Sequence, residues 1–301
     1  MTFALSGILP VLPTPFRRDG GIDGDAMKRL VEFALSKGAA GLVFPGFASE
    51  VEYLSRGERE ELLGVVADEA KRRVVIVAGA SADSAEEVIA HGRTALRLRI
   101  DHLMIQPPIG IGSTAKAVAE FLNQVASALP KMRFVLQNAP APRGSDLSPA
   151  TIAAVVKAVP RTAYVKEETL PAGPAISAIL ANKPDGLLGA IGGGGARYII
   201  DEYRHGACAA MPAIELTDIH SEIDSAFHSG DMAEARVLYG RTLPLLLLQA
   251  IYRMRLTKHV MMRRGILSNA RVRARIPLID ECTVDEIDEN LAILGLLDER
   301  N

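Results

Sequence analysis

The stretch TAYVKEET, residues 162–169, sets a lysine and two glutamates directly after a short run of uncharged residues. A run this short and this apolar is typical of a β-strand that is buried on both faces, and Lys166 stands at its end. Seven further runs of this kind occur along the chain, each bounded by glycine or proline. Segments with apolar residues at helical spacing lie between them.

The alternation of short apolar runs with amphipathic segments indicates the fold. The eight strand candidates are residues 7–11, 41–45, 74–78, 102–106, 134–138, 163–166, 186–190 and 207–211. Eight strands that each lead into a helix fit a closed barrel better than a doubly wound sheet. We therefore predict an α/β protein with a (β/α)8 TIM barrel.

After the eighth strand candidate the pattern becomes purely helical. Residues 231–265 are expected to form one or two helices, and residues 284–297 a last one. No long linker rich in Ser, Gly or Pro separates this part from the rest. We therefore predict a catalytic barrel over residues 1–230 and a C-terminal helical extension over 231–301 that packs on it.

Charge and hydropathy exclude several partners. The 301 residues carry a formal net charge of −2, which gives no general attraction to nucleic acid or to anionic membranes. The longest apolar runs, such as 243–251, are too short to span a bilayer, and the N-terminal stretch lacks the basic region of a secretory signal. We expect a cytoplasmic protein whose partner is a small molecule, with neither nucleic acid nor membrane as a partner.

Neither a metal nor a cofactor is indicated by the sequence. The six histidines show no ligand spacing, and the two cysteines, Cys208 and Cys282, fit neither a zinc site nor a disulfide framework. The glycine run 192–195 lacks the Lys-Ser/Thr of a phosphate-binding loop. We interpret this run as a place where the backbone approaches another group closely at the barrel mouth.

In TIM barrels the catalytic groups stand at the carboxyl ends of the strands, which makes Lys166 the most informative residue. Burial disfavours the charged ammonium and so frees the amine as a nucleophile. The alternative is a lysine that extends to solvent or pairs with Glu167 or Glu168. The turn after the second strand, residues 46–50, offers backbone N–H groups and the Ser49 hydroxyl to a carboxylate, or else is an ordinary loop with a structural Glu50.

Taken in order, the strand ends resemble a known family. A Gly-x-x-x-Glu turn at 46–50, an Asn-x-Pro turn at 138–140 and the Lys166-Glu167 pair resemble the dihydrodipicolinate synthase and N-acetylneuraminate lyase superfamily, and residues 7–16 look like its first strand. The resemblance covers nearly the whole chain. It implies a Schiff base between Lys166 and a 2-keto acid, commonly pyruvate, without a cofactor, in a homo-oligomer that is a dimer or tetramer.

Several positions depart from the pattern of the synthase itself. They are Phe47 and Ala48 in place of a threonine pair, Pro108 and Ile109 in place of a tyrosine pair, Gln137 in place of a tyrosine, and Pro142 in place of an arginine, with Arg143 next to it. In the synthase those tyrosines carry protons and that arginine binds the second substrate. Their absence argues against a role in lysine biosynthesis.

One branch of the superfamily is more similar. The 2-keto-3-deoxy-pentonate dehydratases have a Ser-Glu turn, a Gln-x-Ala-Pro turn and a Lys-x-Glu-Thr strand end, which stand here at 49–50, 137–140 and 166–169. This similarity implies a lyase that dehydrates a 2-keto-3-deoxy sugar acid. The alternatives are a class I aldolase that cleaves a 4-hydroxy-2-keto acid to pyruvate and an aldehyde, a synthase-like protein, and a sensor that binds a keto acid without catalysis.

The expected catalytic residues are Lys166, Glu168 and Gln137. In a regular strand residues two apart face the same side, which puts Glu168 with Lys166 and turns Glu167 away. Glu168 is then the candidate acid/base, and Gln137 orients hydroxyls or a water because an amide does not titrate usefully. The resemblance further implies a substrate-binding set made of Ala48, Ser49, Asn138, Gly189, Ala190 and Ile191.

Overall fold

A computed structural model describes residues 4–181 and 183–297 of the chain, so the ends of the two predicted parts, 1–3 and 298–301, lie outside the described residues. Eight strands pair in parallel in the spatial order β1-β8-β7-β6-β5-β4-β3-β2. Their bounds are β1 Gly7–Ile8, β2 Gly41–Phe44, β3 Val75–Gly79, β4 His102–Ile105, β5 Arg133–Asn138, β6 Thr162–Glu167, β7 Gly189–Gly192 and β8 Ala209–Ala210.

The sheet is closed between its first and last members by a short contact. Val11 forms a parallel bridge with Val43, the Leu12 N–H donates to the Val43 carbonyl over 3.0 Å, and the Val43 N–H donates to the Pro10 carbonyl over 3.0 Å. Each strand therefore has a neighbour on both sides, and the predicted (β/α)8 barrel is confirmed.

Helices follow the strands and cover the barrel. They are α1 Gly24–Ser36, α2 Arg56–Ala70, α3 Ala85–Arg97, α4 Ala115–Ala128, α5 Pro149–Ala158, α6 Ala172–Ala181, α7 Ile199–Arg204, α8 Thr217–Ser229, α9 Met232–Arg263 and α10 Glu281–Ile293. Side chains cap several of them. Ser55, for example, accepts the Glu58 N–H at the start of α2 while the Glu58 carboxylate accepts the Ser55 N–H, which satisfies two otherwise unpaired donors.

The strands bury side chains on both faces, as their continuous apolar runs predict. Val43, Val77 and Val135 point into the barrel, where they form an inner core, while Leu42 and Phe134 belong to the larger core between the strands and the helices. Because both faces are dry, a charged side chain fits only where a strand ends.

The seventh strand lies further along the chain than predicted. Residues 186–190 were the candidate, but β7 is Gly189–Gly192. Gly186 has φ +94° and belongs to a turn, and Leu188 is 51% exposed, so the apolar letters before Gly189 mark a loop. Glycine is the residue that adopts such a φ without steric cost, and this signal outweighs the hydropathy of the two leucines.

The C-terminal part of the chain is helical, as predicted, but the bounds of its helices differ from the prediction. α9 is continuous over Met232–Arg263 apart from a break at Arg253, where φ is 49° and ψ is −130°. α10 begins at Glu281, three residues before the predicted start at 284, because the Asp280 carboxylate accepts the Thr283 N–H over 2.8 Å and caps the helix there.

The tail and the barrel share apolar packing. Leu245 and Leu256 of α9 and Ile287 of α10 lie in one buried cluster with Ile200 of α7 and Ile223 of α8. The extension therefore covers one side of the barrel, and its division from the rest at residue 230 stays a prediction.

A buried ion pair joins the loop after β2 to the tail. Lys258 Nζ of α9 lies 2.5 Å from Glu50 Oε1, and both side chains are almost fully buried. The other oxygen, Glu50 Oε2, accepts the N–H groups of Arg273 at 2.6 Å and Ala274 at 2.7 Å. Burial lowers the pKa of Lys258 to about 8, although Glu50 acts in the opposite direction. Glu50 therefore holds the fold together, in agreement with the structural alternative given above.

Replacing Lys258 tests this junction. The Lys258→Met variant should lose about 3–5 kcal/mol of unfolding free energy, because the Glu50 carboxylate stays buried without its cation. Urea denaturation followed by circular dichroism measures the loss. Lys116→Met is the control, since that side chain is 86% exposed, and it should leave the midpoint unchanged. A Lys258→Met midpoint equal to that of the wild type would contradict the assigned role.

Candidate active site

Strand β6 delivers Lys166 to the barrel mouth. Lys166 pairs in register with Gln137 of β5 on one side and with Ile191 of β7 on the other. Its side chain is 7% exposed, so the amine is largely shielded from water. The parallel register is the reason that residues distant in sequence reach the same level of the barrel.

The carboxylate of Glu168 is the centre of the site. Its Oε1 lies 2.7 Å from Lys166 Nζ and accepts the Gln137 Nε2–H at 2.8 Å, and its Oε2 contacts the Arg143 guanidinium. The three predicted catalytic residues are therefore brought together. The ion pair that the sequence offered as an alternative is formed with Glu168 and not with Glu167.

Opposing influences act on the charge of Glu168. Burial by itself would raise its pKa, but the cations Lys166 and Arg143 outweigh this and lower the pKa to about 2. Glu168 is thus a carboxylate at neutral pH. Its affinity for a proton rises when one of the two neighbouring positive charges is removed.

Glu167 faces away from Lys166, as the strand geometry predicts. Its Oε1 accepts the Thr169 N–H at 2.7 Å and the Thr169 hydroxyl at 2.6 Å, and its Oε2 accepts the Asn138 amide at 3.0 Å. Burial raises the pKa of Glu167, and these hydrogen bonds lower it in part. Glu167 therefore fixes the turn after β6.

The structure does not bring Asn138, one of the expected substrate-binding residues, to the same cavity as Lys166. Its Oδ1 accepts the Leu147 N–H at 2.8 Å, while its Nδ2 donates to the Leu147 carbonyl and to Glu167. With 1% of its surface exposed, the residue holds the loop after β5 against β6. The Asn-x-Pro turn thus positions Arg143, which lies in that loop.

The turn after β2 uses Ser49 internally. The Ser49 hydroxyl donates to the Leu12 carbonyl at 2.5 Å and accepts the Gly46 N–H at 2.8 Å, and its own N–H donates to the Gly46 carbonyl. Ser49 is fully buried. Its neighbours Phe47 and Ala48 are the residues of this turn that line the cavity next to Lys166.

Because β7 lies further along the chain than predicted, the residues at its carboxyl end differ from those expected to bind the substrate. Ile191 is level with Lys166 but is buried in the inner core, and Gly189 is level with Tyr164, further from the mouth. Gly194 and Gly195 line the cavity instead of Gly189, Ala190 and Ile191. The difference arises because residues 186–188 form a turn, whereas their apolar pattern predicts a strand.

The glycine run allows the close approach that the sequence predicts. A Cβ at position 193 would lie 2.3 Å from Glu168 Cγ, and a Cβ at position 192 would lie 2.1 Å from Glu202 Oε2. Carbon atoms do not approach other heavy atoms this closely, so both positions need glycine if the two glutamates are to keep their places.

We call the cavity next to Lys166 the lysine cleft, which has a volume of about 480 Å³. Four cationic side chains and two carboxylates line it, namely Lys166, Arg143, Arg197, Arg253, Glu168 and Asp146. A larger cavity of about 630 Å³, the outer cleft, lies on the other side of Phe47 and Arg143 and includes Gln137. We assign the chemistry to the lysine cleft, because Lys166 and Glu168 line it and do not line the outer cleft.

The tail supplies one wall of the lysine cleft. Gln249 and Arg253 of α9 line it, and Gln249 Oε1 accepts a hydrogen bond from Arg197 Nη1 at 3.0 Å. Tyr239 of α9 donates to the Arg197 carbonyl at 2.5 Å, which fixes the loop after β7. The sequence does not mark Gln249 and Arg253 as site residues, because helical spacing does not tell which tail residues reach the barrel mouth. It does not mark Arg197 and Tyr198 either, because they lie in the loop after a strand whose end was placed too early.

Among residues 4–181 and 183–297, no group of three or more His, Cys, Asp or Glu side chains is arranged to hold a metal ion. In the same part of the chain, none of the helices has the length and apolar character needed to cross a membrane.

Comparison with known proteins identifies the family. The model of the dihydrodipicolinate synthetase family matches residues 4–293, and the chain belongs to this family of lyases. It is 31% identical over 260 residues to the 4-hydroxy-tetrahydrodipicolinate synthase of Maridesulfovibrio salexigens, covering 81% of this chain and 82% of the relative. The predicted membership of the superfamily is confirmed, whereas the dehydratase branch stays a proposal.

Solved structures show the same fold. The dihydrodipicolinate synthase of Rhodopseudomonas palustris superposes with a TM-score of 0.88 at 24% identity, over 96% of this chain and 97% of that one. A prophage protein of the dihydrodipicolinic acid synthase family from E. coli K12, solved in complex with pyruvate, superposes with a TM-score of 0.88 at 20% identity, over 97% and 99% of the two chains.

Another buried carboxyl group lies behind β7. Glu202 of α7 is fully buried, and neither of its carboxyl oxygens has a hydrogen-bond partner among the described residues. Burial raises its pKa to about 8, and the charges of Asp201 and Glu168 act in the same direction. Glu202 therefore keeps its proton in the folded protein at neutral pH, whereas it loses it on unfolding.

This difference predicts a pH dependence of stability. The contribution of Glu202 is complete below its unfolded pKa of 4.5 and is lost as the pH rises towards about 8. In this window the group should cost the wild type roughly 1.4 kcal/mol of unfolding free energy per pH unit. Glu202→Gln should remove this contribution to the slope in urea denaturation series. The exposed Glu289→Gln variant should keep it, and an unchanged slope in Glu202→Gln would show that Glu202 is ionised in the fold.

Proposed function

We propose that the protein forms a Schiff base between Lys166 and a 2-keto acid and eliminates water from a 2-keto-3-deoxy sugar acid. The observation that carries this proposal is the buried Lys166–Glu168 pair at the mouth of the barrel, with 2.7 Å between Nζ and Oε1. A lysine in this position can attack a carbonyl, and the carboxylate beside it can move protons.

The first step joins the enzyme to its substrate. The Lys166 amine, after giving a proton to Glu168, attacks the C2 carbonyl carbon. One amine proton and the proton held by Glu168 then pass to the C2 oxygen, which leaves as water. A protonated imine remains between C2 and Nζ, and Glu168 is again a carboxylate. This positively charged imine withdraws electrons from C3 and makes the C3 proton acidic.

The second step is the elimination, in which Glu168 both takes and gives a proton. When Glu168 accepts the C3 proton, the imine becomes a neutral enamine. Because the charge on Nζ is a main reason for the low pKa of Glu168, its loss raises that pKa while the proton is held. Glu168 then protonates the C4 hydroxyl, which leaves as water, and the charge returns to the nitrogen. Hydrolysis of the unsaturated imine releases the dehydrated keto acid and regenerates Lys166.

Gln137 and Arg143 hold Glu168 for this transfer. Gln137 Nε2 donates to Oε1, the oxygen that faces Lys166, and the Arg143 guanidinium contacts Oε2. Both side chains act as hydrogen-bond donors to Glu168, so both position the carboxylate. The turn with Ala48 is the proposed wall for the C1 end of the substrate, since Phe47 and Ala48 line the lysine cleft.

Aldol cleavage is the second candidate, and Tyr198 favours it. Cleavage of C3–C4 needs a base for the C4 hydroxyl, and the Tyr198 side chain lines the lysine cleft. Condensation of pyruvate with aspartate semialdehyde is a third reaction, which the names of the relatives suggest. Gln137, Pro108 and Ile109 replace the proton-carrying tyrosines of the synthase pattern and argue against it.

A homo-oligomer is also part of the proposal. Several large apolar side chains are between 56% and 77% exposed, namely Leu170, Leu247, Ile251 and Leu278. Exposed apolar side chains of this size are suited to contacts between subunits. A single species with the mass of one chain in analytical ultracentrifugation would contradict it.

The Schiff base is tested by trapping. Borohydride added with pyruvate, or with a 2-keto-3-deoxy pentonate or hexonate, should leave a reduced adduct on Lys166 that peptide mass spectrometry locates. Lys166→Ala should lose the adduct and all turnover. Product analysis then decides the reaction: a dehydrated keto acid supports the proposal, pyruvate plus an aldehyde supports the aldolase, and dihydrodipicolinate formation supports a synthase. Trapping without turnover of any substrate would indicate a sensor.

The assigned role of Glu168 predicts a large kinetic effect. Glu168→Gln should still form the trapped adduct, because water can take the proton that Lys166 releases, but should lower kcat by roughly 10²–10⁴-fold, the usual contribution of general acid–base catalysis. Glu167→Gln is the matched control one residue away, because its remaining oxygen can still accept from Thr169 and Asn138, and its kcat should change little. Equal losses in the two variants would assign to Glu168 a structural role only.

A further inference from the structure

The lysine cleft contains more positive charge than the proposed chemistry uses. Lys166 becomes the imine nitrogen, and Arg143 is engaged with Glu168. Arg197 and Arg253 take no part in these steps, although both line the cleft. They come from the loop after β7 and from α9, whereas Lys166 and Arg143 come from β6 and the loop after β5.

Arg253 has no acidic partner. Within the described parts of the chain, no carboxylate lies within 4.0 Å of its guanidinium. Arg253 is exposed at the mouth of the cleft, and its charged influences are repulsion by Arg143 and a weaker attraction to Glu168. Partial loss of solvent, which has the largest effect, and this repulsion both lower the pKa of Arg253. Two guanidiniums held near each other repel, and an anion bound between them would offset this repulsion.

The backbone of α9 has an unfavourable conformation at Arg253. α9 is helical on both sides of Arg253, but at that residue φ is 49°, a value that L-residues other than glycine rarely adopt. The break directs Arg253 towards the Phe47 ring, whose centroid lies 6.0 Å from the Arg253 Cζ and 5.1 Å from the Arg143 Cζ. Such strain inside a helix is typical of functional sites.

Arg197 is held in place more firmly. Its Nη1 donates to Gln249, its carbonyl accepts from Tyr239, and burial together with the nearby Arg253 lowers its pKa. The guanidiniums of Arg143, Arg253 and Arg197 thus influence one another in sequence around the rim. Asp146 is the only carboxylate other than Glu168 among the described residues that line the cleft, and it is exposed.

We infer that the substrate carries a second carboxylate at the end opposite its 2-keto group, and that Arg253 and Arg197 bind it. This inference rests on the proposed function and names its substrate class: 2-keto-3-deoxy diacids, with the keto acid end at Lys166 and the far carboxylate at the two arginines. A guanidinium offers paired N–H donors that match a carboxylate, and a bound dianion would relieve the repulsion between these cations.

The test compares ligands that differ only in the far charge. 2-Oxoadipate has a carboxylate at C6, whereas 2-oxohexanoate has a methyl group there. Calorimetry should show that the wild type binds 2-oxoadipate roughly 10- to 100-fold more tightly, the value of a charge-assisted hydrogen-bonded pair. Arg253→Gln and Arg197→Gln should each reduce this preference several-fold, and Arg236→Gln, an exposed arginine of the same helix, should not.

Further outcomes separate this inference from the proposed function. Repeating the calorimetry with Lys166→Ala removes the Schiff base, and the preference for the diacid should persist even if borohydride traps nothing in the wild type. Equal affinity for the two ligands would overturn the inference while leaving the Schiff base intact. The inference would also be overturned if Arg253→Gln lost as much affinity for pyruvate as for 2-oxoadipate, because the arginine would then bind the C1 carboxylate. Tighter binding of a terminal phosphate ester than of the diacid would overturn the assignment to a carboxylate.

Discussion

The ion pair between Glu50 and Lys258 decides where the tail lies, and the lysine cleft depends on it. Glu50 belongs to the loop after β2, and Lys258 belongs to α9, more than two hundred residues later. Because the pair is buried and has further backbone partners, it fixes α9 over the barrel mouth. Gln249 and Arg253, which stand one or more turns before Lys258 in the same helix, therefore reach the cleft. Without this contact the barrel would have a catalytic lysine but only part of its binding wall.

Within the lysine cleft, the positive charges of Lys166 and Arg143 control the protonation of Glu168. Two cations keep this carboxylate ionised although it is buried. The reaction we propose removes and restores one of those charges at Lys166, so the proton affinity of Glu168 changes in step with the covalent intermediates. Glu168 can change between acid and base without a side-chain movement, because the charge on the imine nitrogen, Lys166 Nζ, changes during the reaction.

The sequence was sufficient for the barrel and for the centre of the site. Short apolar strands and the period of two residues along β6 place Lys166 and Glu168 on one side and Glu167 on the other. Local pattern was insufficient where a turn contained apolar residues, as at Leu187 and Leu188, and this moved the predicted β7 residues away from the mouth. It was also insufficient for Asn138 and Ser49, whose partners, Leu147 and Leu12, are fixed by loop conformations that no short spacing encodes. The position of Arg253 in the tail depends on a break inside α9, which nothing in the residue letters marks.

The wall between the two clefts is thin, since Phe47 and Arg143 line both of them. The Phe47 ring centroid lies 5.1 Å from Arg143 Cζ and 6.0 Å from Arg253 Cζ, and the ring borders the lysine cleft on one side and the outer cleft on the other. Replacing this ring with a small side chain would connect the two cavities into one chamber that opens directly onto the lysine. For protein engineering, position 47 is therefore the place at which this scaffold could accept acceptor aldehydes or keto acids much bulkier than a sugar chain.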